Sequence, residues 1–133
     1  MVCRSVVKIE VFVERVREYP ERFSHCISSI VERYGGRVSV LLFGSRAAGR
    51  HGAASDFDII VVLPRYEDYF EEAAEIKRMC RGVPLDLLLY SLGEFAVDGV
   101  LAKMLENCLA LFDGLGLGVC RQAEPGGTIQ RST

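Results

Sequence analysis

The sequence predicts an α/β (α+β) domain built on a single mixed β-sheet flanked by helices. Three observations carry that prediction. Segments with apolar residues at helical spacing alternate with short β-rich runs, glycines mark the joints between them, and half of the 133 residues are apolar, enough for one core. A length near the usual single-domain size leaves no room for a second full domain.

The elements follow in order. Residues 11–16 and then Phe23, Cys26, Ile27, Ile30, Val31 and Tyr34 repeat with helical period, with Pro20 between the two stretches. Gly35-Gly36 closes the second helix, and residues 38–43 form a first strand that stops at Gly44-Ser45. Residues 46–52, small and basic, suit a short helix or loop. A second strand, 56–63, is closed by Pro64. Residues 66–81 read as an amphipathic helix with Tyr69, Phe70, Ala73, Ile76, Lys77 and Cys80 on one side; Gly82 ends it. A third strand over 83–90, a helix over 92–107 and a short last strand over 109–112 complete the domain. The expected domain spans 1–118, with its motif region at 38–90 and a flexible polar tail over 119–133.

Composition narrows the function. The longest apolar runs fall far short of the roughly 18–20 residues needed to cross a bilayer, and the N-terminal residues lack the pattern of an export signal, so a cytoplasmic protein away from membranes is expected. Cysteines at 3, 26, 80, 108 and 120 are odd in number and form no Cys-x-x-Cys pair; they read as reduced, mostly core residues. A net charge of −2 argues against direct nucleic-acid binding.

Chemistry concentrates between residues 43 and 61. Gly44 and Ser45 leave a strand in a turn where backbone approaches a ligand closely and the serine hydroxyl and nearby amides face phosphate oxygens. Asp56 and Asp58, two apart on a strand, project from one face while Phe57 and Ile59 go to the other. Paired carboxylates repel unless a cation joins them, and magnesium is commonly held by one or two carboxylates together with substrate phosphates. Asp86, the one charge inside the apolar run 83–89, requires a metal, a donor or an exposed edge. If its strand lies beside the second, three acids and a phosphate cradle meet, an arrangement suited to nucleotidyl transfer.

Gly44-Ser45, ten intervening residues, Asp56-x-Asp58 and an Asp on a later strand resemble the DNA polymerase beta nucleotidyltransferase superfamily, and within it the minimal nucleotidyltransferases, over roughly residues 23–114. The resemblance implies transfer of a nucleoside monophosphate, AMP from ATP foremost, from an NTP to a hydroxyl on a partner. It implies Mg2+ as cofactor, with Asp56, Asp58 and Asp86 as metal ligands and catalytic residues, and Gly44, Ser45, Arg46 and Arg50 binding nucleotide. It also implies an antitoxin paired with a helical HEPN-type toxin. Many relatives carry Arg-Gly after Gly-Ser-x-Ala where this chain has Ala48-Gly49, so Arg46 or Arg50 must take over phosphate binding. The alternatives are a non-catalytic module that neutralises the toxin by occlusion, and a transferase acting on a small molecule.

Other polar residues have simpler readings. Ser55 suits a turn cap, His51 a solvated loop, His25 a helix surface, and Glu67, Glu71, Glu72 and Glu75 a solvated helix face. The apolar C-terminal third, with Val97, Val100, Leu101, Met104, Leu105, Leu109, Leu111, Leu115 and Leu117, exceeds what so small a domain can enclose. It predicts an exposed association surface, for a homodimer or for the toxin.

Overall fold

A computed structural model describes residues 20–49 and 56–122, apart from the side chains of Ser45 and Ala48. The expected helical stretch at 11–16, Arg50, His51, Ser55 and residues 123–133 lie outside the described residues. A five-stranded mixed sheet forms the centre, in the order β3-β2-β1-β4-β5. Its strands are β1 (Ser39–Phe43), β2 (Phe57–Leu63), β3 (Leu85–Ser91), β4 (Leu109–Asp113) and β5 (Arg121–Gln122). The middle strand β1 runs antiparallel to both β2 and β4, whereas β2–β3 and β4–β5 are parallel. Four helices accompany it: α1, described over 20–33, α2 (Gly44–Ala48), α3 (Tyr69–Met79) and α4 (Gly99–Met104).

Period-two alternation sorts the strand residues onto two faces. On one, Phe57, Ile59, Val61 and Leu63 of β2 and Val40 and Leu42 of β1 pack against Phe23, Cys26, Ile27 and Ile30 of α1 and Ile76 of α3. On the other, Leu41, Ile60 and Val62 meet Leu101 and Leu105 around α4. Two buried apolar layers hold β2, and Asp58, its second residue, rides on that strand.

The helix ends follow local chemistry. Gly35 and Gly36 adopt left-handed backbone and the Gly36 amide donates to Val31 O, which stops α1 and turns the chain into β1. Asp68 caps α3 by accepting from the Glu71 amide, so the helix starts later than position 66. Its buried side is narrower than the sequence suggests. Ile76 and Cys80 are enclosed, but Phe70 is 80% exposed and Lys77 also faces solvent, because positions 70 and 77 fall on the flank of the apolar stripe.

The helix expected over 92–107 is confined to Gly99–Met104. Ser91 and Glu94 make a reciprocal capping box, the Glu94 amide donating to Ser91 Oγ and the Ser91 amide to Glu94 Oε1, but only a turn follows it. Tyr66 donates to the same Glu94 oxygen. Gly93 and Gly99, the latter at φ +54°, interrupt the run and restart it as α4.

The chain is held past the point where a tail was expected to begin. Cys120 is joined to Cys108, and β5 pairs with β4 beyond it, Leu109 opposite Arg121. A second disulfide, Cys26–Cys80, ties α1 to the end of α3. Four of the five cysteines are therefore bonded rather than reduced: each pair is brought together by elements far apart or reversed in sequence, a proximity that spacing alone does not display. Among the described residues, no helix is long and apolar enough to cross a membrane.

Candidate active site

The site forms where β1 ends and β2 and β3 begin. Phe43 pairs with Asp58 across β1–β2, and Asp58 pairs with Asp86 across β2–β3. Parallel register places these two acids side by side on the same face, and their carboxyl groups are within hydrogen-bonding reach of each other. Asp58 is half-buried and Asp86 exposed. Burial, followed by the contact with Asp86 and the charges of Asp86 and Asp56, pushes the Asp58 carboxyl above the ordinary aspartate range. Asp56 stands exposed just before β2, near enough to act electrostatically on both Asp58 and Arg46.

Gly44 leaves β1 at φ +79° and is the first residue of α2, so the expected turn is already helical. A Cβ there would lie 3.2 Å from Asp58 Cγ and closer still to a carboxylate oxygen. The glycine thus serves a close approach between backbone and Asp58, a role that its place in a strand-turn motif does not reveal.

Arg46 on α2 lays its guanidinium over the Phe57 ring, 3.7 Å from the centroid, and Phe57 in turn stacks on Phe23 with centroids 4.0 Å apart. Burial lowers the Arg46 pKa, an effect the Asp56 charge opposes. This aromatic platform fixes the stem of Arg46 at the margin of the acid cluster. Phe57 was legible in the sequence only as a residue facing the core.

Of the residues expected in the site, the structure brings Asp58, Asp86 and Gly44 into contact and sets Asp56 and Arg46 beside them. Ser45 contributes its backbone to α2, its side chain being outside the described set, as is all of Arg50. Among the described residues no three His, Cys, Asp or Glu side chains converge tightly enough to hold a metal ion. The donor set nonetheless suits a hard cation: three carboxylates, no sulfur or imidazole, and one acid already destabilised in its charged form by burial and then by the other two.

A mixed sheet with adjacent acids on neighbouring parallel strands and a glycine turn against them defines the nucleotidyltransferase class of α/β domain. The chain belongs to the nucleotidyltransferase domain family, whose match covers residues 24–110 and so contains every described residue of the site. The family makes this a transferase domain and implies a nucleoside triphosphate as substrate. The chain is also similar to a crystal structure, at 1.40 Å, of a Sulfolobus solfataricus protein provisionally described as a nucleotidyltransferase. That likeness has 24% identity and a TM-score of 0.49, and covers 62% of this chain and 75% of the other. No curated protein matches the sequence.

Proposed function

We propose that the domain transfers a nucleoside monophosphate, AMP from ATP being the leading case, to a hydroxyl on a partner protein. The observation that carries the reading is the Asp58–Asp86 pair, two carboxyl groups on adjacent strands with Asp58 held above its ordinary range. Such crowding is costly in the free protein and is relieved when a divalent cation arrives with the triphosphate. Asp56, Asp58 and Asp86 would hold Mg2+, which when bound supplies charge neutralisation for the carboxylates and the phosphate oxygens.

The division of labour among the protein's own residues follows from exposure. Asp86, open to solvent at the sheet edge, is placed to accept the proton of an incoming acceptor hydroxyl as its oxygen attacks the α-phosphorus and pyrophosphate departs. Asp58, half-buried and braced by β1 and β3, orients. Arg46, fixed on Phe57, offers its charge to the triphosphate, with Gly44, Ser45 and Arg50 completing the cradle. Positioning and electrostatics suffice because phosphoryl transfer needs little covalent help.

An apolar surface supports the macromolecular acceptor. Val100 is 77% exposed, and Val97 and Leu92 are 45% and 44% exposed, in the segment that leads from β3 into α4. A HEPN-type toxin is the proposed partner and self-association the alternative use of the patch; occlusion without catalysis is the second functional reading it favours. Intact-mass measurement of the partner after co-expression decides between them. Gain of one or more AMP units supports transfer, and a neutralised but unmodified partner supports occlusion.

A further inference from the structure

A second site lies at the opposite end of the sheet from the acids. Antiparallel register pairs Ser39 with Val62, and continuing it brings Arg37, just before β1, opposite Pro64, just after β2. With Tyr34 from the turn after α1 and Arg65, these residues line a cleft of about 440 Å³. From Asp58 to Pro64 the strand climbs roughly 20 Å at about 3.3 Å per residue, so the cleft is separate from the acid cluster.

Its electrostatics are one-sided. Arg37 and Arg65 are exposed and make no ion pair among the described residues, although the chain carries 18 acidic residues against 16 basic ones. Arg33, outside the lining itself, holds its guanidinium 5.8 Å from the centroid of the Tyr34 ring. Glu72 of α3 accepts a hydrogen bond from the Tyr34 hydroxyl. Burial, reinforced by Glu72, drives the phenol far above its usual range, so Tyr34 stays neutral and adds no negative charge. The walls are also stiff: Pro64 has a fixed φ, Tyr34 is anchored to α3, and Gly35-Gly36 sets the exit of Arg37.

We infer that this cleft binds the phosphoryl group of a small phosphorylated ligand between Arg37 and Arg65. Guanidinium forks match phosphate geometry, and 440 Å³ accommodates a ligand of mononucleotide size. The acidic balance of the chain disfavours a nucleic-acid backbone as the source of the phosphate. The inference does not depend on the proposed reaction.

Titration of the full chain with sodium pyrophosphate in EDTA at fixed ionic strength, followed by calorimetry and amide NMR, tests it. Saturable binding is expected, with the largest shifts at Arg37 and Arg65 and at least tenfold weakening in the Arg37→Ala/Arg65→Ala variant. Arg65→Glu, a surface change that folding tolerates, should weaken it further. Asp58→Asn should leave the affinity unchanged, which separates this cleft from the acid site. Equal affinity in the arginine variants, shifts confined to Gly44 and Asp58, or tighter binding of a single-stranded octanucleotide than of pyrophosphate would overturn the assignment.

Discussion

Asp58 and Asp86 stand directly opposite each other in the parallel β2–β3 ladder, and burial together with the neighbouring Asp86 carboxyl raises the Asp58 pKa above the ordinary aspartate range. Asp58 therefore holds its proton more tightly than an ordinary aspartate, and on the proposed reading a bound cation would displace that proton. The two states differ in charge, and that difference can be measured.

Because Asp58 holds its proton more tightly when folded than unfolded, its contribution to stability is complete below the unfolded value of about 3.9 and is lost as pH rises through the higher folded value. Metal-free protein should therefore lose stability over that window more steeply than Asp58→Asn. At neutral pH the variant should melt at an equal or higher temperature, while Mg2+ with ATP should raise the melting temperature of the parent only. Identical pH profiles for the two proteins would remove the coupling between the acids.

Gly44→Ala should damage both folding and nucleotide binding. The substituted Cβ meets the Asp58 carboxylate, and φ +79° adds left-handed strain of about 1–2 kcal/mol. Gly36, at φ +82° with open space around it, is the matched control: Gly36→Ala carries the strain without the collision. Denaturant midpoints and ATP calorimetry on the two variants separate the effects, and an equal loss in both would show that the approach to Asp58 is immaterial.

Legibility in the sequence tracked how local the signal was. Asp56-x-Asp58 needs only strand periodicity, and Asp86 announces itself as a charge inside an apolar run, so these positions were readable from local pattern. That Asp86 lies opposite Asp58 depends on parallel pairing of β2 with β3 and is settled only by the crossover through α3. The sequence predicts a long helix over 92–107 because Val97, Val100, Leu101, Met104 and Leu105 keep helical spacing, whereas the Ser91–Glu94 box and Gly99 break the backbone locally. Cys26 and Cys80 are 54 residues apart, and no local pattern encodes their meeting.

Asp113 anchors the other flank of the sheet. Burial would raise its pKa, but donation from the Gly118 amide, the Ser39 hydroxyl and the Leu117 amide outweighs that and holds the carboxyl low. Its contribution is present above the unfolded value and lost as pH falls through the folded one, opposite in sign to Asp58. Asp113→Asn should cost roughly 1.5–3 kcal/mol at neutral pH, the value of hydrogen bonds to a charged acceptor, with ATP binding unaffected. A loss of less than half that in urea titration would mean the turn at 114–118 is held by its backbone alone.

The disulfides should contribute unequally. In the loop-entropy view, closing 54 residues between Cys26 and Cys80 stabilises by about 4 kcal/mol and closing 12 between Cys108 and Cys120 by about 3 kcal/mol. Cys26→Ala/Cys80→Ala empties two buried core positions between α1 and α3, whereas loss of the second pair removes one buried core side chain, Cys108, and releases β5. Chemical denaturation under oxidising conditions should rank the first double variant below the second, and a thiol reductant, which opens both bonds, should lower the parent below the second variant. A parent indifferent to reduction would show that the bonds do not persist in solution.

The partner surface and the acid site can be separated by substitution. Val100 projects from α4 with 77% of its surface in solvent, so Val100→Asp removes no core contact and should leave the unfolding free energy within about 0.5 kcal/mol of the parent. If the patch with Val97 and Leu92 receives the partner, burying an unpaired carboxylate there is prohibitive, and the copurifying protein or the dimer should be lost. Asp86→Asn should do the reverse, keeping the complex because it leaves Leu92, Val97 and Val100 unaltered, while abolishing any AMP-sized mass gain on the partner. Size-exclusion chromatography with light scattering reads the first outcome and intact-mass spectrometry the second. Retention of the complex by Val100→Asp would move the interface elsewhere, and a mass gain that survives Asp86→Asn would take the proton-accepting role away from that residue.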